Sequence, residues 1–278
     1  MKVGYAILYE DGELIISKNH TVLSKSVYKD YGEFEDIDVS WKNERIQIKT
    51  VRILNSVKSN CMKKWFAYCK NLTTLIDFHN LDVSTCTNFA STFYRCEELT
   101  NINSLKHWNV VNGEDFSRMF MYCEELSNVN ELQNWNISSG IDFSWMFEYC
   151  IKLINLDGLQ NWNVSNGIGF TGMFANCIKL INLDALQNWN VSNGIDFSWI
   201  LDGCKSLITI DSLQNWTILN DNSFYYAFSN CEELKNIYLP TTLKNINNYM
   251  FKNTNKDLKI YWNNHIYTLD DLNTYELL

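Results

Sequence analysis

Proline is almost missing from this 278-residue chain, which has one, Pro240, and only 11 glycines. That leaves no room for a flexible Pro/Gly linker, and the length suits one elongated body or two compact domains. No stretch approaches the roughly 18 to 20 apolar residues of a membrane span. The start, Met1-Lys2-Val3-Gly4-Tyr5-Ala6, lacks a basic n-region followed by a long apolar run. A soluble, cytoplasmic monomer is therefore expected. Positive charge is also short: 23 Lys and Arg against 32 Asp and Glu give a net −9. Phosphate neutralisation needs clustered Lys and Arg, so direct binding of nucleic acid or an anionic membrane is not expected. A basic protein partner is, including one whose nucleic-acid channel an acidic mimic would occupy. HExxH, nucleophile and Gly-rich phosphate-loop motifs are all missing, and His20, His79, His107 and His265 are scattered. The chain reads as non-enzymatic. Nine cysteines are an odd number without a CxxC pair, which excludes a complete disulfide framework and a zinc site. No metal or cofactor is expected.

What is abundant is periodicity. Cys69, Cys96, Cys123, Cys150, Cys177, Cys204 and Cys231 stand 27 residues apart. A cysteine in fixed phase is best read as a small buried apolar residue. Counting from it, position −7 holds Met62, Phe89, Phe116, Phe143, Phe170, Phe197 and Phe224. Position −3 holds Phe66, Phe93, Phe120, Phe147, Phe174, Leu201 and Phe228. With −4 and 0 these make an i, i+3, i+4, i+7 stripe, which predicts a two-turn amphipathic helix. Asn88, Asp115, Asp142, Asp196 and Ser223 at −8 suit its N-cap. Leucine occupies +3 throughout, from Leu72 to Leu234, and tryptophan fills +12 at Trp108, Trp135, Trp162, Trp189 and Trp216. One short strand per unit is expected near +5 to +7, pairing in parallel with its neighbours. Asn-Gly pairs and their relatives, from Asn112-Gly113 to Asn220-Asp221, would turn the chain into the next unit. The asparagine columns at +11 and +13 are expected to bind turn backbone between units. Such units cannot bury themselves alone, so they must stack.

The fold expected is an α/β solenoid of 27-residue leucine-rich repeats, each a short helix plus a short parallel strand. Residues 57–238 form seven repeats. Residues 1–56, with alternating Val3, Tyr5, Ile7 and Tyr9 and the turn Asp11-Gly12, form a β-rich N-terminal cap. Residues 239–278 form a variant repeat and C-terminal cap.

Asn161-Trp162-Asn163-Val164-Ser165-Asn166, then Gly172-Met173-Phe174-Ala175-Asn176-Cys177 and Leu180, resembles the pattern of BspA-type leucine-rich repeats and the DUF285 repeats of bacteria and mycoplasmas. The Leu239-Pro240 unit resembles the second BspA-type repeat. This resemblance implies protein–protein recognition, often as a secreted or cell-surface adhesin.

Binding candidates come from columns that vary. At −5 stand Lys64, Ser91, Arg118, Trp145, Gly172, Trp199 and Tyr226, and at −1 Tyr68, Arg95, Tyr122, Tyr149, Asn176, Gly203 and Asn230. On a helix both columns face away from the core stripe, with Trp145 and Tyr149 as i, i+4 neighbours. Tyr122, Trp145, Tyr149, Trp199 and Tyr226 are thus candidate partner contacts, because exposed Trp and Tyr mark interaction sites. Asp157, Asp184 and Asp211 at +7 would line an outward strand face able to attract a basic partner. The functional expectation is an intracellular inhibitor or effector, encoded by a phage or mobile element, docking on a basic nucleic-acid-handling defence enzyme. The alternative is the adhesin role.

Overall fold

The computed structural model describes residues 2–219 and 224–274. Ser223, the Asn220-Asp221 turn and the tail beyond 274 lie outside the described residues. The chain opens with β1 (Lys2–Tyr9) and β2 (Glu13–Ser17), an antiparallel hairpin closed at Asp11-Gly12, and β3 (Val27–Glu35) adds to its other side. β4 (Thr50–Ile53) then pairs in parallel with β2. The short β5 (Val57–Lys58) pairs with β7 (Leu81–Asp82), and β6 (Thr74–Ile76) pairs with β4. The sheet order β3-β1-β2-β4-β6 runs from the cap into the first unit without a break. Trp41 and Trp65 plug the junction, their indoles donating to the carbonyls of Trp65 and Asp36 at 2.9 Å each. At the far end β8 (Asn236–Tyr238), β9 (Lys259–Trp262) and β10 (His265–Tyr267) form a three-stranded sheet, followed by α1 (Leu269–Thr274).

Between the caps the predicted helix does not form. Residues −7 to 0 make three overlapping tight turns: N–H groups at −4, −2 and 0 donate three residues back, as Trp65 to Met62, Ala67 to Lys64 and Cys69 to Phe66. The alternate N–H groups, at −7, −5, −3 and −1, leave the unit altogether. Phe89, Ser91, Phe93 and Arg95 donate to the carbonyls of Asp115, Ser117, Met119 and Met121 in the next unit. A helix would keep all of these bonds within itself. The stripe that suggested a helix is real as a burial pattern, since the side chains at −7, −4, −3 and 0 are buried from Phe89 to Cys231. The −8 side chains cap the turn run as they would a helix: Asp142 Oδ1 accepts from Ser144 N–H at 2.9 Å and Asp196 Oδ1 from Ser198 N–H at 2.8 Å. Their backbones also form isolated parallel bridges from unit to unit, Asn88 to Asp115 through to Asp196.

The predicted strand at +5 to +7 appears only in the end units, as β6 and β8. In the five units between, +7 opens a 3-10 turn instead: Asn103–His107, Asn130–Leu132, Asp157–Leu159, Asp184–Leu186 and Asp211–Asn215. The side chain at +5 takes the +7 N–H, as Asn101 does for Asn103 at 2.8 Å and Asn182 for Asp184 at 3.2 Å. That local bond withdraws a donor from the inter-unit ladder. The asparagines at +13 also bond locally, Asn163 accepting from Ser165 N–H at 3.2 Å, whereas those at +16 cross between units, Asn193 donating to the Ser165 carbonyl at 2.7 Å.

The core is a set of side-chain ladders. Rings at −3 stack with centroids 5.5 to 5.8 Å apart from Phe66 to Phe174. Rings at −7 run from Phe89 to Phe224, and the +12 indoles from Trp108 to Trp216. Each of these tryptophans donates to the +9 carbonyl of the unit before, as Trp162 to Leu132 at 3.0 Å. Each cysteine from Cys96 onward donates to the −3 carbonyl of the unit before, as Cys177 to Phe147 at 3.3 Å. Burial pushes these thiols well above the usual cysteine range. From Cys96 onward the repeated cysteine is a packed, inter-unit hydrogen-bond donor.

Candidate functional site

The turn run has an unusual backbone. All fourteen residues at −5 and −1, from Lys64 and Tyr68 to Tyr226 and Asn230, have positive φ, between +55° and +72°. This left-handed conformation costs an ordinary side chain about 1–2 kcal/mol and favours glycine or asparagine. Gly172, Gly203, Asn176 and Asn230 meet that preference. Trp145, Trp199, Tyr226, Tyr122 and Tyr149 stand against it.

Those side chains form two ladders on the outside of the turn run. At −5, Trp145 and Trp199 lie 6.2 Å apart, Trp199 stacks on Tyr226 at 6.2 Å, and Tyr226 meets Tyr249 at 5.9 Å. At −1, Tyr122 stacks on Tyr149 at 4.5 Å, and the Arg95 guanidinium sits 4.1 Å from the centre of the Tyr122 ring. All five candidate aromatics are half-buried. The expected Trp145–Tyr149 pairing is replaced: ring pairs run along the stack, because no helix brings i and i+4 together. Gly172 is no gap in its column. A Cβ there would fall inside the Trp145 ring, so the glycine is what lets that indole reach across a whole unit to Trp199.

Two further exposed columns were missed by sequence reasoning. At −9, two residues before the turn run, stand Ile141, Ile168 and Ile195, and at +4 stand Ile154, Ile181 and Ile208. They are 38% to 58% exposed, in the same three consecutive units that Trp145 and Trp199 span. The signal was legible: Glu114 precedes the first column, and Thr73, Thr100 and Ser127 precede the second. Exposed apolar residues that switch on together in adjacent units mark a surface that water does not keep.

Between the two ladders, at −2, lies Glu148. One carboxylate oxygen is buried without a hydrogen-bond partner. Burial pushes its pKa up to about 7, opposed by the Arg118 charge and reinforced by Asp202. The folded protein therefore holds this proton to higher pH than the unfolded chain, and stability falls as pH rises from about 4.5 towards 7. Glu148→Gln should remove about 1–2 kcal/mol of that decline, less than for a fully buried group because water screens the exposed part. Urea unfolding of both proteins at pH 5 and pH 8 checks this. Parallel pH dependences would show that Glu148 titrates normally.

The +7 aspartates are placed differently from expectation. They open 3-10 turns and do not line a strand face, because the strand is absent there. Asp184 accepts from Ser212 at 3.1 Å and Asp211 from the Tyr238 N–H at 3.2 Å, while Asp157 is exposed. Among the described residues no group of three or more His, Cys, Asp or Glu could hold a metal ion, and no helix is long and apolar enough to cross a membrane.

A family model described as "Mycoplasma protein of unknown function, DUF285" matches residues 36–155 and 125–239. No curated protein matches the sequence. Among solved structures, a leucine rich cell surface protein from Faecalibacterium prausnitzii A2-165 is similar at 17% identity, over 94% of this chain and 93% of that one, with a TM-score of 0.33. A leucine-rich repeat protein from Eubacterium ventriosum ATCC 27560 is similar at 14% identity, over 92% and 90%, with a TM-score of 0.24. Another, from Bacteroides ovatus ATCC 8483, is similar at 14% identity, over 94% and 89%, with a TM-score of 0.23.

Proposed function

The chain belongs to the DUF285 family, and on that premise we propose that it is a non-enzymatic scaffold that binds another protein through the outer face of its turn run. One observation carries this reading: Trp and Tyr occupy backbone positions whose left-handed conformation favours glycine or asparagine. Neither propensity nor core packing calls for them there, and strained positions concentrate where function holds them. The contact would be built on Trp145, Trp199 and Tyr226, with Tyr122 and Tyr149 in the −1 column, and the exposed isoleucines of the same units would extend it. Such a surface is preformed, so little conformational entropy is lost on docking. Asp157, Asp184 and Asp211 fall outside it.

The net charge of −9 and the placement of Glu148 between the ladders favour a basic partner. An intracellular inhibitor of a nucleic-acid-handling enzyme fits that preference. A surface adhesin would use the same face without a bias for basic targets.

The test places a photo-crosslinking amino acid at Tyr225, exposed beside Tyr226, and in a second protein at Lys106, exposed on a 3-10 turn. Cells of the native host supply the partner. Tyr225 should capture a discrete protein that Lys106 does not. Capture at Lys106 alone would put the binding face elsewhere.

A further inference from the structure

The same −5 column carries a second device, three units nearer the N-terminus. Its order Lys64, Ser91, Arg118 is again large, small, large. Here the small residue opens a notch instead of seating a ring. The second unit is small at both −6 and −5, and Ala90 and Ser91 form the floor of a cavity of about 470 Å³. Lys63, Lys64 and Tyr68 from the first unit wall one side, Ser117 and Arg118 from the third the other, with Tyr94 alongside. That volume lies within the range of small-ligand sites.

The notch is positive in a chain of net negative charge. Lys63, Lys64 and Arg118 are exposed, and among the described residues none of them has a carboxylate partner within 4.0 Å. The acid that lines the notch is already engaged. Asp115 Oδ1 accepts from the Ser117 N–H at 3.0 Å and hydroxyl at 2.7 Å, and Oδ2 accepts from Asn88 at 3.0 Å. Arg118 also feels the more distant Glu148 carboxyl. In the adjoining depression bounded by Lys63 and Lys64, the Arg45 Nε is buried with no hydrogen-bond partner. Three cations without carboxylate partners around one cavity suit an anion, and the buried Arg45 Nε in the neighbouring depression adds to the positive charge on that side.

We propose that this notch binds a sulfated or phosphorylated saccharide residue. Three cationic heads suit a tetrahedral ester group. The hydroxyls of Ser91, Ser117, Tyr68 and Tyr94, together with the tyrosine ring faces, suit a sugar ring that is polar at its rim and apolar on its face. A small-residue floor lets the ring approach the backbone. The site borders the aromatic face, Tyr94 lying 6.2 Å from Tyr122, but its ligand is a small molecule titrated without the protein partner, so the two readings are tested apart.

Calorimetric titration of the full chain with galactose 6-sulfate tests it, with galactose, inorganic sulfate and phosphotyrosine as parallel probes. Lys64→Asn and Arg118→Asn are the variants, since asparagine tolerates positive φ and keeps the backbone in place. Thermal unfolding confirms that each variant folds. Galactose 6-sulfate should bind at least tenfold more tightly than either galactose or sulfate alone, and each variant should weaken it about tenfold or more. Equal binding of galactose and its ester would remove the role of the anion. Equal binding of inorganic sulfate would remove the sugar seat, and preference for phosphotyrosine would replace the saccharide with a peptide. Folded variants that bind like the parent would overturn the site.

Discussion

Phe147→Ala is expected to lower the unfolding free energy by about 3–5 kcal/mol. Phe147 sits fully buried in the middle of the −3 ladder, 5.6 Å from Phe120 and 5.8 Å from Phe174. Removing its ring empties space shared by three units, and a stack held by nearest-neighbour contacts has no other element to close over it. Its carbonyl also accepts from Cys177 Sγ, so any relaxation of the backbone there disturbs the cysteine ladder. Phe147→Leu should cost far less, about 1 kcal/mol, because Leu201 already fills the same column in the sixth unit and is buried. Equilibrium urea unfolding measures both. A loss below 1 kcal/mol for alanine would mean that the ladder is not what holds neighbouring units together.

Gly172→Leu is expected to abolish partner binding, by about a hundredfold or more, without altering any contact residue. A side chain at 172 takes the space of the Trp145 ring and forces the indole away from Trp199. If the two indoles act as one anchor, separating them removes hot-spot contacts worth about 2 kcal/mol or more each. Stability should fall too, by about 1–3 kcal/mol, because residue 172 has a φ of +56° and the site is already filled. Gly172→Ala should show the same defect, since the obstruction begins at Cβ. Binding is measured against the captured partner. Unchanged affinity in the leucine variant would mean that Trp145 and Trp199 need not meet.

The repeat, its phase and its core were legible because burial leaves a periodic record: the −7, −3, 0, +3 and +12 columns are all inside. Secondary structure was not, for a physical reason. The turn run buries −7, −4, −3 and 0 just as a helix would, and only the destination of the N–H groups tells the two apart. One clue was present: Gly172, Asn176, Gly203 and Asn230 are residues that tolerate positive φ, placed in the two columns that adopt it. The +7 strand was misread because a side-chain acceptor at +5 competes for the same N–H, a local choice that column hydrophobicity does not record. The aromatic columns are expected to point outward and to pair along the chain; in the structure their rings are half-buried and pair along the stack. The isoleucine columns are visible in the letters, but a single exposed isoleucine carries no signal until its repetition in adjacent units is seen.

In the proposed division of labour, inner columns hold the fold and outer columns meet the partner. Thermal unfolding of Trp145→Asn/Trp199→Asn, measured beside Phe147→Ala, tests it most directly. Asparagine relieves strain at two positive-φ sites while removing two half-buried rings, so the net change should stay within about 1–2 kcal/mol. The double variant should melt within a few degrees of the parent while Phe147→Ala melts far lower. A fall as deep as that of Phe147→Ala would place the indoles in the core and contradict the account.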